Sequence, residues 1–329
     1  MSKIHVSVNK TVNYIFHLQA VAKINYNNDY SEKYKNTVSE HDLLILQDSY
    51  EELTFGNGYA GIYVNLFIFS PCYIINNSDE LKIYFNLLKQ AVEQNEYQVF
   101  YNKFKSHFDK LENWGFTVQG LRDNIVKLNE KHKINAMKLA DVFINNYERY
   151  EPVWVSEKAK IKEKAKILNV MICKLDFIKK WEKYTNLKFK LTPYHIILCS
   201  SISDGSNANS LGYDKNVFCS YGDNEEIIHF ISHEVGTHIL VDELVNLWSS
   251  LGDTSSDENT PSFLYAAYEN LIQYYNQKVL SDYDLKYTLG DNYNSDKFHE
   301  IYLELDKDAN IYSAKDMIIS AMNKIKNCS

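Results

Sequence analysis

Residues 225–244 read EEIIHFISHEVGTHILVDEL and place three histidines and five carboxylates in one segment whose other positions are mostly apolar. A helix over this stretch buries ionisable groups, which is unfavourable unless each charge is paired or holds a metal. The rest of the chain has to supply those partners. The centre is His233-Glu234-Val235-Gly236-Thr237-His238, with its two histidines five residues apart. In a regular α-helix, positions i and i+4 differ by about 40° around the axis, whereas i and i+5 differ by about 140°. The spacing therefore predicts a local π-type turn, in which roughly five residues complete one turn and both imidazoles face the same way; the alternative is two unrelated histidines on different faces of a core helix. Gly236 lies inside the interval, and its missing Cβ lowers the steric cost of that distortion.

Catalytic zinc takes neutral imidazoles, often a carboxylate, and keeps one position open, while a neighbouring glutamate can reach the water there without binding the metal. His233 and His238 fit the ligand role and Glu234 the general base. The HEVGTH string resembles the His-Glu-Ile-Gly-Thr-His motif of the zinc carboxypeptidases that remove the terminal tyrosine of α-tubulin, a zincin family with the same spacing. The resemblance covers the active helix and the segment through the downstream glutamate, and it does not extend into the first half of the chain. It implies a zincin-like core, a Zn2+ cofactor and a peptide or protein substrate; the tubulin substrate itself is not carried over.

Two histidines rarely hold catalytic zinc alone. Thr260-Pro261 has the chemistry of a helix start, and the helix it predicts carries FLYAAYENLIQYYNQKVL, in which Glu269 is the only carboxylate. A lone carboxylate on so apolar a helix needs a partner. Gluzincins take their third ligand from the helix after the histidine pair, so the resemblance implies Glu269. Asp242, four residues after His238, is an alternative ligand or the acceptor for the outer N–H of a ligating histidine. His229 sits four residues before His233 and makes a His229/His233/His238 set the other option. For the oxyanion the candidates are Tyr265, Tyr268, Tyr274, Tyr275 and His299, among which the sequence does not choose.

A length of 329 residues accommodates two lobes, and 45% hydrophobic with 24% charged residues is ordinary for a globular chain. A net charge of −8 disfavours nucleic acid as a partner, because phosphates demand a basic surface. The Lys158–Lys166 run alternates with Glu163, Ile161 and Ala165 and reads as the solvated side of an amphipathic helix. The apolar run 59–75 is interrupted by Asn65, Ser70 and Pro71, so no membrane span is expected. The five cysteines lack C-x-x-C spacing and read as reduced, mostly buried thiols. Asn9, Lys10, Asn13 and His17 break the apolar run that a signal peptide would need, which makes the expected location cytoplasmic.

Along the chain, Ile4, Val6 and Val8 alternate as in a strand, a helix follows over 11–24, and helical patterns dominate from 78 to 183. The segments 188–200 and 216–221 are rich in strand formers. Between them, 207–213 reads either as an edge strand that pairs with an extended substrate, with Asn207 and Asn209 as its candidate contacts, or as an ordinary surface loop. The expected architecture is α+β and mainly α-helical, with a helical lobe over 1–185 and a zincin-like catalytic lobe over 186–329 whose small sheet precedes the active helix. Zinc-dependent peptide hydrolysis is the expected function. A small-molecule amidohydrolase and a binding protein on a degenerate zincin scaffold are the alternatives, and endo- versus carboxypeptidase action and oligomeric state stay open.

Overall fold

Alternating apolar and polar residues form strand β1 (Ile4–Ser7), whose Ile4 and Val6 are buried while His5 is exposed. Asn9 then caps α1 (Lys10–Val21), its side chain accepting from the Val12 N–H at 3.0 Å. The computed structural model describes residues 3–55, 61–75, 77–112, 128–203, 208–252, 260–281, 295–307 and 313–326. These residues are mainly helical with one four-stranded mixed sheet, an α+β composition.

The chain divides into two units, 1–169 with 193–222, and 170–192 with 223–329. The first unit continues through α2 (Asp29–Tyr34), α3 (Glu40–Asp48), α4 (Tyr50–Leu53), α5 (Ile62–Val64), α6 (Ser78–Gln94), α7 (Gln98–Lys103), α8 (Lys105–Glu112), α9 (Glu130–Asn145) and most of α10 (Glu151–Leu175). Asn77 and Asn129 cap α6 and α9 as Asn9 caps α1, which gives the asparagine-rich composition a local use. Helix α6 buries Leu81, Tyr84, Phe85, Leu88 and Val92 at helical spacing and packs on α9, with the Phe85 and Phe143 rings 5.0 Å apart. Of the apolar run 59–75, residues 63–74 are buried: after α5, residues Asn65–Phe69 form a π-helical turn and Ser70–Tyr73 a 3-10 turn. Among the described residues no helix is long and apolar enough to cross a membrane.

After α11 (Phe177–Thr185), which belongs to the second unit, the chain returns to the first for β2 (Tyr194–Cys199), β3 (Ala208–Gly212) and β4 (Lys215–Cys219). The sheet order is β1-β2-β4-β3, with β1, β2 and β4 parallel and β3 antiparallel on β4. Strand β3 occupies one edge, where the sequence predicts an edge strand. A single boundary at 185 is therefore not what the contacts give: pairing of β2 with β1 draws 193–222 into the unit that begins the chain.

The second unit is helical and contains α11, α12 (Asn224–Gly252), α13 (Thr260–Val279), α14 (Ser295–Asp306) and α15 (Ala314–Lys326). Helix α13 contacts each of the other four. That central position explains its sequence, because a helix covered on all sides has no use for a charged face.

Candidate metal centre on helices α12 and α13

Helix α12 is α-helical from Asn224 to Gly252, and the π-type turn expected between His233 and His238 does not occur. The glycine has a different use. A Cβ on Gly236 would fall 2.3, 2.6 and 2.9 Å from three carbons of the Trp181 ring, so the missing side chain is what lets α11 pack its buried indole on α12. Trp181 Nε1 donates to Ser232 Oγ at 2.9 Å, one turn earlier on the same side of the helix.

With the helix regular, the ionisable groups of the motif spread over separate faces. His229, His233 and Thr237 follow at i, i+4 and i+8 and face α13. Asn276 Nδ2 donates to the His229 carbonyl at 3.1 Å and lies 3.3 Å from its Nε2. His233 Nε2 lies 3.2 Å from Glu269 Oε2, and the Tyr268 hydroxyl donates to the Thr237 carbonyl at 2.9 Å. The two helices run antiparallel, and the seam between them is polar along three turns. His238 lies about 140° round the helix from His233 and packs edge-on to Phe189, with ring centroids 6.4 Å apart. Asp242 is exposed and pairs with Lys190, so the carboxylate expected to orient His238 is turned to solvent instead.

The His233–Glu269 pair is nearly enclosed, with side chains 8% and 12% exposed. Burial alone would lower the His233 pKa. The hydrogen bond and charge of Glu269, the charge of half-buried Glu234 and a hydrogen bond with Gln273 outweigh it and raise His233 above its ordinary value. His229 moves the other way, to about 4, mainly through burial, with the charge of His233 adding to it. Gln273 and Asn276 were not among the residues singled out by sequence. Their signal is the spacing 269, 273, 276, a polar i, i+4, i+7 stripe on an otherwise apolar helix.

Two of the three expected zinc donors, His233 and Glu269, converge from adjacent helices, and the third, His238, faces elsewhere. No group of three His, Cys, Asp or Glu positioned to hold a metal occurs among the described residues. The donor chemistry fits zinc, and the arrangement as it stands supplies part of a site. Of the tyrosines, Tyr274 is bonded to Asp306 at 2.7 Å and Tyr275 to Met317 Sδ at 3.1 Å, and His299 stacks edge-on to Tyr274. Tyr265 is half-buried beside Tyr268. Asn209 lies on β3 in the first unit, buried, with its amide donating to the Tyr26 hydroxyl at 2.6 Å, so its side chain serves the interior of that unit. Asn207 falls outside the described residues. No family model, curated protein or solved structure matches the chain.

Proposed function

We propose that the second unit carries the centre of a zinc-dependent peptidase on a zincin-like core, acting on a peptide or protein in the cytoplasm. The observation that carries this reading is the His233–Glu269 contact. The two residues are far apart in sequence, both carry zinc-donor chemistry, and they meet at 3.2 Å in a nearly enclosed seam with Glu234 alongside. Zinc held there supplies a Lewis acid for a scissile carbonyl and an acidified water. Glu234, adjoining His233 but about 100° further round the helix, would lie outside the ligand set and serve as the general base. His233 and Glu269 would both turn to the metal, and Gln273 and Asn276 hold the imidazoles on the α13 side.

The resembling family implies His238 as the third donor, which would require α12 to distort between His233 and His238 when metal binds, since the two face apart on the regular helix. A second ligand set, His229/His233/Glu269, is favoured by one observation: His229 and His233 share the face turned to α13. Zinc stoichiometry of purified His229→Ala, His233→Ala and His238→Ala, with a peptide-library digest of the wild type, separates the two. Loss of zinc in His233→Ala and His238→Ala supports the first set, and loss in His233→Ala and His229→Ala supports the second. Wild-type protein that takes up no zinc and cuts no peptide overturns the peptidase reading, and cleavage of small amides alone moves it to an amidohydrolase.

A further inference from the structure

Helix α10 carries a dense run of cations, with lysines at 158, 160, 162, 164 and 166. One side of it is apolar and buried, where Trp154, Ile161, Ala165 and Leu168 follow at i, i+7, i+11 and i+14. The opposite side exposes Val155, Ala159, Lys162 and Lys166 at i, i+4, i+7 and i+11, with half-buried Lys158 beside them. Val155 is 55% and Ile167 41% exposed, so aliphatic side chains stand in water among the lysines.

Little offsets this charge locally. Glu157 is buried and bonded to Lys33 at 3.0 Å. Glu163 pairs with Lys166 at 3.2 Å in full contact with solvent, where such a pair holds neither partner firmly. Lys158, Lys160 and Lys162 bond no carboxylate among the described residues, and Lys160 lies 5.0 Å from the centre of the ring of Tyr221, itself partly exposed. The whole chain carries −8, so this face reverses the sign of the molecule. At about 0.1 M salt, charges more than about 10 Å from a docked surface are largely screened from it, and the face acts through its own lysines.

We propose that the solvent face of α10 docks on an anionic phospholipid surface. A cluster of lysines on an amphipathic helix has the charge complementary to acidic headgroups. The aliphatic residues between them select lipid over nucleic acid, which would take the lysines and leave Val155 and Ile167 in water. At a lipid surface both are used: the ammonium groups stay with the headgroups while the lysine stems and the aliphatic side chains enter the acyl boundary. A helix docked in this way lies in the plane of the interface, and no membrane-crossing segment is needed.

The test is co-sedimentation of the full chain with vesicles of phosphatidylcholine alone and with vesicles holding about a third phosphatidylserine, at about 0.1 M salt. Partition into the anionic vesicles should be at least about tenfold the greater and should collapse at about 1 M salt. Each lysine at such a surface is worth about fivefold, so Lys158→Glu with Lys162→Glu should lose at least about 25-fold. Lys131→Glu with Lys138→Glu makes the same change of net charge at exposed positions of α9 and should bind as wild type does. Val155→Ser with Ile167→Ser should weaken binding and keep its salt dependence. Wild-type protein that sediments with neither vesicle, or equally with both, overturns the proposal. So does an equal loss in the α9 and α10 lysine variants, each with the circular dichroism of the folded chain, because net charge alone would then account for the binding.

Discussion

A methyl group at position 236 would sit within 3 Å of three Trp181 ring carbons, and the indole cannot retreat because it is fully buried and bonded to Ser232. Gly236→Ala gains about 1 kcal/mol of helix propensity and should still destabilise the chain, since overpacking a core costs about 1–3 kcal/mol. Urea denaturation measures the balance, and a stability equal to or above wild type refutes the packing role. Trp181→Leu in the same chain should remove part of the penalty, a coupling expected only of residues in contact. Glu234 and Glu269 separate at the same scale. Under the peptidase reading, Glu234→Gln keeps near-native zinc and loses about 10²–10⁴ in turnover, as removal of a general base does. Glu269→Gln loses zinc affinity first. Zinc retention by Glu269→Gln together with zinc loss by Glu234→Gln would reverse the two roles.

Helices α12 and α13 are held by a polar seam as well as by apolar packing. Asn276 is fully buried and bonds both the backbone carbonyl and the ring nitrogen of His229. Asn276→Ala leaves those groups without their partner and should cost about 1–3 kcal/mol. Thermal unfolding of the variant reads this out, and an unchanged midpoint would show the seam to be incidental. The spacing of 229 and 233 was legible, because i, i+4 periodicity survives in any regular helix. The π turn was not. The i, i+5 spacing of His233 and His238 predicts one on α12, yet α12 stays regular while a π turn occurs at Asn65–Phe69, in a run whose sequence carries no metal motif. Backbone distortion answers to packing around the helix, which no local string of residues reports.

Across the whole molecule, acid sensitivity should come from histidines buried without charge. His17, packed among Tyr30, Tyr34 and Tyr150 and bonded to Tyr30 and Thr37, is lowered to about 3 by burial. Its unfolded form takes a proton near pH 6.5 and its folded form does not, so the unfolded chain binds more protons between those values and stability falls as pH drops from about 6.5 towards 3. At pH 4 the loss from this one residue is on the order of 3 kcal/mol. Denaturation at pH 7 and pH 4 should show a smaller difference in His17→Gln than in wild type, and identical pH dependence in the two would remove His17 as the cause. The sequence by itself determined the α+β composition, the first strand and helix, the edge strand near 208–212 and that the lone carboxylate Glu269 needs a polar partner. Each of these rests on residue periodicity or on the cost of an unpartnered charge, which act locally. Tertiary structure alone decided that β2 joins β1 and takes the sheet into the first unit, that Gly236 makes room for Trp181, and that His238 and Asp242 face away from Glu269. Those outcomes depend on which surfaces meet, and residues distant in the chain choose them.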